Sequence, residues 1–414
     1  MKTAAVQAML LLLAALPLQA QTTAMAGAPA ALAGFGGALA VSAGQVIVGE
    51  GNSQMRSGIV YVYRKGANGW AEATRLTAPG AANGDGFGAS LSVDGSLMIV
   101  GATHQNEGMG AAYVFQRSAD GAWTPAGQMS AADVSAGDRF GAAVALDGDV
   151  ALVAAPAQGE GTGAVYVFRR SGNAWTQEAK LAARVPAQGE AFGAAVAVTG
   201  DRALIGVPER NDEAGVVLTF TRDAAGQWSE TGQIAPGGLE RNAGFGARIL
   251  LDDDLAYIGA PGHASAGTVF AFRLNESGEW RPDSRFFPLA VAGQEADFGA
   301  GIAMDEQQLM IGAPDGGGSA FLYAPDAEGE WSRAERIVAE EVRGNLGVTV
   351  GIDGDLAAAG ASSADFGAGA VVVFERVNGQ WSATATLMSP DERLPSITGE
   401  MVRCGADGTA ALWN

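Results

Sequence analysis

Two short patterns recur along this chain at a nearly constant interval, and they constrain the fold more than any other feature. A Phe-Gly pair occurs at intervals of 52, 53, 52, 53 and 53 residues, and Leu-Gly takes its place 48 residues further on. A tryptophan recurs in phase with it. The pairs begin at Phe35, Phe87, Phe140, Phe192, Phe245, Phe298 and Leu346, and the tryptophans are Trp70, Trp123, Trp175, Trp228, Trp280, Trp331 and Trp381. Self-similarity at such a period indicates a repeat architecture.

Residues 140–175 show what one unit can form. Two apolar runs, 142–146 and 150–154, flank an Asp-Gly-Asp turn, and glycine tolerates the positive φ that a tight hairpin needs. A Gly-rich loop leads to residues 164–168, whose β-branched and aromatic side chains suit a pleated sheet. A polar turn and a fourth short run ending near Leu181 follow. Each unit therefore predicts four antiparallel strands.

Seven such units predict an all-β fold, a β-propeller in which each four-stranded antiparallel blade packs against its neighbours. The predicted blades are residues 35–86, 87–139, 140–191, 192–244, 245–297, 298–345 and 346–396. Residues 21–34 form either a leader or a closing strand, and residues 397–414 resemble a partial repeat. The sequence favours seven blades, and the alternative is eight, with a composite closing blade built from the two ends.

The units also resemble a known family. The second strand ends in Gly-Ala-Pro at residues 259–261 and 312–314, and the third strand reads Ala-Val-Tyr-Val-Phe at residues 164–168. Together with the Phe-Gly pairs, these motifs are similar to FG-GAP repeats, the unit of integrin α-subunit propellers and of many bacterial exported proteins. The resemblance covers roughly residues 35–390. It implies the propeller fold, which hosts many functions.

The integrin-type blades of that family carry a calcium loop of the form DxDxDGxxD between the first two strands. This chain has short turns there, such as Asp147-Gly148-Asp149 and Asp353-Gly354-Asp355. Calcium takes 6–8 oxygen ligands, and so short a turn offers few. We interpret the turns as hairpin chemistry and expect no metal or other cofactor, with calcium as the disfavoured alternative.

The N-terminus predicts export. Lys2, an apolar run at 9–18 and a small-residue site before Gln21 are typical of a signal peptide spanning residues 1–20, so we expect a periplasmic or extracellular protein with no integral membrane segment after cleavage. The formal net charge of −20 argues against nucleic acid and anionic membrane surfaces as partners. Cys404 is the single cysteine, so no intramolecular disulfide forms. We expect a monomer with a buried or free thiol, and a disulfide to another chain is the alternative.

Binding residues are expected in the loops between the second and third strands, because these loops vary most between units and sit on a rigid scaffold. Their polar residues make that end of the propeller the candidate binding face. The candidates are His104, Asn106, Glu209, Arg210, Asn211, Asp212 and His263. The phase-locked phenylalanines and tryptophans are instead predicted to pack, since they recur in every unit.

No catalytic motif accompanies the repeats. The chain has two histidines without metal-ligand spacing, and it lacks GxSxG, a P-loop and CxxC. Asp85, Asp138 and Glu190 precede Phe-Gly pairs in register, which favours a role in turns. The sequence thus favours a non-enzymatic scaffold that binds a protein or glycan partner. The alternatives are a carbohydrate-active hydrolase or lyase with acidic residues at the channel mouth, and a purely structural envelope component.

Overall fold

The computed structural model describes residues 21–22, 34–51, 57–288, 296–305, 308–326, 331–339, 341–342, 344–390, 403–404 and 410–411. These residues form an all-β propeller of seven blades, each an antiparallel sheet with its four strands in sequence order. The predicted fold and the favoured blade number are confirmed. The proposed signal peptide at 1–20 and most of residues 397–414 lie outside the described residues.

The first two strands of each blade form a hairpin. The first strands are Ala38–Ser42, Phe87–Asp94, Val144–Asp147, Val196–Thr199, Arg248–Asp252, Gly301–Met304 and Thr349–Asp353. The second strands are Gln45–Glu50, Leu97–Ala102, Val150–Ala155, Arg202–Val207, Leu255–Ala260, Leu309–Ala313 and Leu356–Ala361. Most of these residues are buried, as expected for strands covered on both faces.

The third and fourth strands complete each blade. The third strands are Ile59–Gly66, Ala111–Arg117, Ala164–Ser171, Val216–Arg222, Thr268–Leu274, Ser319–Pro325 and Ala370–Val377. The fourth strands are Gly69–Leu76, Trp123–Met129, Ala174–Leu181, Trp228–Ile234, Trp280–Phe286, Trp331–Ile337 and Gln380–Met388. The outermost strands are largely exposed between a tryptophan and a buried apolar end, as in Trp123–Met129.

Short helical turns lie between the second and third strands of five blades. They are Gln105–Gly108, Gln158–Gly161, Arg210–Glu213, His263–Ser265 and Ala364–Gly367. Because strands alternate in direction, these loops share one end of the ring with the connections between blades. We call this end the loop face, and the opposite end, with the hairpin turns, the turn face.

The apolar core lies between the blades. One cluster joins Leu152 and Val167 of blade 3 to Ile205 of blade 4, with Phe192 between them. The Phe-Gly phenylalanines at the six positions are all 0% exposed. Phe140 meets Tyr166 and Phe168 of its own blade edge to face, with ring centroids 5.4 and 6.1 Å apart. This edge-to-face geometry is favourable for aromatic pairs, and the predicted packing role is confirmed.

The two glycines of the repeat meet across the blade boundary. Gly246 of the Phe-Gly pair in blade 5 has a φ of +92°, which favours glycine. A Cβ added to Gly206, at the end of the second strand of blade 4, would lie 2.1 Å from the Gly246 carbonyl oxygen. The close approach of these two backbones explains why both motifs contain glycine.

The recurring tryptophans also link neighbouring blades through polar contacts. The Trp228 indole donates to Glu178 Oε1 of the preceding blade at 2.9 Å, and Trp70 donates to Glu375 Oε1 at 3.0 Å. Trp123 donates to Gln45 Oε1 at 2.8 Å. Each of these tryptophans therefore joins the outer part of its blade to the preceding blade.

A second inter-blade link occupies the turn face. The aspartate that ends a first strand accepts a hydrogen bond from a backbone N–H in the hairpin turn of the next blade. The pairs are Asp94 with Gly148 (2.6 Å), Asp147 with Gly200 (2.6 Å), Asp305 with Gly354 (3.0 Å) and Asp353 with Ala43 (2.6 Å). These turns therefore belong to hairpins, and their first carboxylates also connect neighbouring blades by hydrogen bonds.

In the part of the chain that the structure describes, the ring closes by contacts between blades 1 and 7. Phe35 and Tyr61 of blade 1 share an apolar cluster with Val371 and Val373 of blade 7. The Thr349 hydroxyl also donates to the Gly36 carbonyl at 2.7 Å.

The alternative of an eighth, composite blade is wrong, because the two ends are not paired in the described residues. Gln21–Thr22 pairs with the first strand of blade 6, Gly301–Met304, and Arg403–Cys404 pairs with Ala410–Ala411. The four successive strands of each of the seven blades instead come from one continuous stretch of chain, and Gln21–Thr22 adds a fifth strand to the sheet of blade 6. No helix of the described residues is long and apolar enough to cross a membrane.

Candidate functional site

A cavity of about 400 Å³ opens on the loop face, where blades 4 to 7 converge. The prolines that follow three second strands, Pro208, Pro261 and Pro314, form part of its wall. Polar residues from all four blades line the rest. The volume falls in the range of small-molecule sites.

Arg248 carries the positive charge of this cavity. It begins the first strand of blade 5, and only 5% of its surface is exposed. Its Nη1 donates to the Ala247 carbonyl oxygen at 2.8 Å, and no described carboxylate pairs with the guanidinium. Burial lowers the pKa of Arg248 to about 9, so the side chain remains charged at neutral pH. The cavity therefore contains a buried cation that has no counter-ion among the described residues.

Arg248 also breaks the repeat. At the same position, three residues after the Phe-Gly phenylalanine or its leucine equivalent, every other blade carries a small residue. These residues are Ala38, Ser90, Ala143, Ala195, Gly301 and Thr349. Where the small residue is Ser90, its hydroxyl donates to the Gly141 carbonyl of the next blade at 2.7 Å. Blade 5 alone places a long charged side chain at this inter-blade position.

Carboxylates dominate the remaining polar lining. Glu209 and Glu213 come from blade 4, Asp297 from the connection into blade 6, and Asp315 from the loop of blade 6. Burial, and secondly the charge of Glu213, raise the pKa of Glu209. Four carboxylates and one guanidinium thus line the same cavity.

Two asparagines complete this polar lining. Asn242 has a φ of +62°, a left-handed conformation that asparagine tolerates better than most residues. Asn345 is fixed from behind, since its Oδ1 accepts from the Ser363 backbone N–H at 2.8 Å. The Asn242 amide offers both donors and an acceptor to a ligand, whereas the Asn345 amide already bonds to Ser362 and Ser363.

Of the seven candidates predicted from sequence, Glu209 lines this cavity. Its neighbour Arg210 is held away by an ion pair with Glu190, with Nη2 and Oε2 2.5 Å apart. Asp212 pairs with Arg241 at 2.7 Å on the exposed loop surface. Asn211, between them, is exposed in a left-handed conformation with φ of +58°.

The two histidines lie in different blades and are not brought together. His104 Nδ1 is 3.0 Å from the Thr103 hydroxyl, and burial, followed by the charge of Arg139, lowers its pKa. Asn106, two residues further on, is exposed and has a φ of +51°. The ring of His263 packs 5.5 Å from that of Phe270, and its Nδ1 is buried without a hydrogen-bond partner among the described residues.

Sequence reasoning did not single out Arg248, Asn242, Asp297, Asp315 or Asn345. The signal for Arg248 was present in the aligned units, as a lone charged residue at a position that is small in all others. Two of the three acids that precede Phe-Gly pairs, Asp85 and Asp138, do stabilise turns, whereas Glu190 pairs with Arg210. Asp85 Oδ2 accepts from the Ala82 N–H at 2.7 Å, and Asp138 Oδ2 does the same from the Ser135 N–H at 2.8 Å.

No group of three or more His, Cys, Asp or Glu residues in the described part of the chain is arranged to hold a metal ion. The carboxylates that line the cavity, two from blade 4 and two from blade 6 and its connection, do not form such a cluster. The polar groups of the cavity therefore offer charge and hydrogen bonds to a ligand.

Comparison with known proteins confirms the resemblance noted in the sequence. The FG-GAP repeat family matches residues 70–115, 123–168 and 175–220. Each match runs from a recurring tryptophan to the third strand of a blade, so the phase of the repeat agrees with the structure. The chain therefore contains FG-GAP repeats within a seven-bladed propeller. No curated protein matches its sequence.

Solved structures with the same fold include two Bacteroides propellers. A proposed 6-phosphogluconolactonase from Bacteroides fragilis NCTC 9343 is 12% identical, with a TM-score of 0.54, and the match covers 89% of this chain and 95% of the other. A proposed 6-phosphogluconolactonase from Bacteroides uniformis ATCC 8492 is 15% identical, with a TM-score of 0.50 and coverage of 89% and 96%. At these identities the similarity concerns the fold alone.

Proposed function

We propose that this protein is an exported, non-enzymatic β-propeller that binds a protein or glycan partner on its loop face, through the cavity between blades 4 and 7. The observation that carries the proposal is the convergence of unrepeated polar residues in one cavity of a highly repetitive scaffold. A scaffold without a ligand needs no buried charge at a position that six other blades fill with small residues.

Export rests on two supports. Residues 1–20 have the pattern of a signal peptide, and FG-GAP repeats are typical of extracellular proteins. The net charge of −20 favours a soluble protein and disfavours contact with anionic surfaces. The partner is thus expected outside the cytoplasm.

The proposal is tested by closing the cavity without disturbing the blade. Ala300 lines the cavity in the turn after the Phe-Gly pair of blade 6, so Ala300→Trp fills it from one side. Asn173→Trp, at an exposed hairpin turn on the opposite face, is the matched control. Both proteins are screened with wild type against a glycan panel and immobilised envelope proteins by biolayer interferometry.

We expect a partner whose binding Ala300→Trp abolishes and Asn173→Trp preserves. A partner that binds both variants equally, or the absence of any partner in the panels, would contradict binding through this cavity. Circular dichroism of each variant establishes that the fold is retained.

One observation favours the enzymatic alternative. Glu209 and Glu213 share the cavity mouth, and Glu209 has a raised pKa, as the general acid of a glycosidase requires. Chromogenic glycosides and uronides are therefore assayed with wild type and Glu209→Gln. Turnover that Glu209→Gln removes would replace the binding proposal with a hydrolase or lyase.

A further inference from the structure

We propose that Arg248 forms a subsite for a single carboxylate group, and that the ligand is a small monocarboxylate whose other polar groups are hydroxyls or an ammonium group. The proposal deepens the function above and rests on it, because it names the chemistry recognised in the same cavity. The juxtaposition that carries it is one buried, unpaired guanidinium beneath a mouth of carboxylates and amides.

The Arg248 guanidinium is a buried charge that no described carboxylate pairs. A buried ion is costly unless another charge or several hydrogen bonds compensate it. Elsewhere in this chain, arginines find such partners: Arg222 pairs with Glu178 at 2.5 Å and Arg170 with Asp149 at 2.8 Å. The Arg248 guanidinium has a single hydrogen bond to a backbone carbonyl. Its remaining donors are therefore available to a ligand in the cavity.

The geometry of the guanidinium and the charge of the cavity lining determine which anion is favoured. The planar fork of a guanidinium matches the two oxygens of a carboxylate or of a phosphate. The mouth of the cavity carries the acidic side chains Glu209, Glu213, Asp297 and Asp315. A dianion would meet this negative field with twice the charge of a monoanion, so a carboxylate is favoured over a phosphate.

The lining and the volume of the cavity also limit the other groups of the ligand. The carboxylates at the mouth accept hydrogen bonds, and they therefore favour hydroxyl or ammonium groups on the ligand. None of the described residues that line the cavity is aromatic, so recognition does not depend on stacking. The volume of about 400 Å³ suits a single sugar acid or an amino acid residue. These two sources share the same chemistry, and the experiment separates them.

Isothermal titration calorimetry with the purified protein provides the test. D-Galacturonate is compared with D-galactose, because the pair differs only in the carboxylate. L-Serine represents an amino acid or peptide terminus, and inorganic phosphate represents a dianion. We expect galacturonate or serine to bind, and galactose and phosphate to bind at least about tenfold more weakly, as charge-assisted hydrogen bonds predict.

Arg248→Ala is the main variant, since alanine occupies this position in blades 1, 3 and 4. We expect it to lower the affinity for the carboxylate ligand about 10- to 100-fold. Arg241→Ala removes an exposed arginine of the same face and is expected to change affinity less than about twofold. Arg248→Gln retains most of the side-chain volume and serves if the alanine variant fails to fold.

The outcomes separate the two proposals. Binding of galacturonate lost in Arg248→Ala identifies a sugar acid, and the same result with serine identifies an amino acid or peptide terminus. Absence of binding by both carboxylates, tighter binding of phosphate, or retention of affinity in Arg248→Ala and Arg248→Gln overturns the subsite. If a partner still binds in a manner sensitive to Ala300→Trp, the loop-face function stands although the subsite has failed.

Discussion

The two faces of the propeller treat their polar residues differently. On the turn face, the same aspartate recurs from blade to blade and accepts a backbone hydrogen bond from the next turn, as Asp94 and Asp147 do. On the loop face, the cavity between blades 4 and 7 gathers residues that occur once, above all Arg248. Repeated polar residues thus connect neighbouring blades, whereas departures from the repeat line the candidate site.

The largest effect should come from removing a repeated apolar residue. Phe192 is fully buried between blades 3 and 4, so Phe192→Ala should lower the free energy of unfolding by about 3–5 kcal/mol through a lost contact and a cavity. Phe192→Leu should cost less than about 1.5 kcal/mol, since Leu346 fills the same position in blade 7. Chemical denaturation measures both, and equal losses would contradict the packing role.

A repeated polar residue of the turn face should have a smaller effect. Asp147→Ala deletes the acceptor of the Gly200 N–H, and we expect a loss of about 1 kcal/mol in unfolding free energy. Asp149→Ala in the same turn removes an exposed pair with Arg170 and should cost less. If denaturation shows Asp149→Ala to be the more damaging change, the link between blades is not what this turn contributes.

Asp252 gives the turn face a pH dependence. Burial, and then the charges of Asp253 and Asp254, raise its pKa to about 6. Its ionisation therefore opposes folding, and the stability present below pH 3.8 is lost as the pH rises through 6. We expect Asp252→Asn to gain about 1 kcal/mol of unfolding free energy at pH 8, allowing for screening of this half-buried group.

The gain from Asp252→Asn should vanish at pH 4, where the carboxyl group of the wild type is protonated in the folded protein. Glu276→Gln, which removes an exposed acid of the same blade, is the control variant. Thermal melts across this pH range provide the measurement. An equal gain at pH 4 and pH 8 would refute the assigned cause.

Calcium should have the smallest effect. The first carboxylates of four turns already accept backbone hydrogen bonds, and calcium needs 6–8 oxygen ligands. We therefore propose that the protein binds no calcium and expect the melting temperature to be unchanged by excess calcium or by EDTA. A rise of several degrees reversed by EDTA would show a bound ion, because a ligand of the folded state stabilises it.

The repeat made most of the fold predictable. Seven phased copies of the Phe-Gly or Leu-Gly pair and of tryptophan give the number of blades. The succession of apolar runs and turns within residues 140–175 gives the four strands of each blade. Ring closure was not predictable, because it depends on contacts between ends more than 300 residues apart, such as Thr349 with Gly36 (|i−j| = 313). Nothing local in the sequence marks those pairs.

The candidate site was less accessible to sequence reasoning. The prediction that binding residues lie in the loops between the second and third strands identified Glu209. The cavity is also lined by residues from the connections between blades, such as Asn242 and Asp297. Arg248 lies within a strand that reads as apolar, and only alignment of the seven units reveals it. Convergence of four blades is a property of the closed ring.

One measurement tests most directly the claim that departures from the repeat serve binding and not folding. The melting temperature of Arg248→Ala, which restores the residue of three other blades, is compared with that of wild type in the absence of ligand. We predict that the melting temperature of Arg248→Ala is equal to or higher than that of wild type, because an unpaired buried charge is removed. A clear decrease would contradict it, since Arg248 would then stabilise the ring as the repeated residues do.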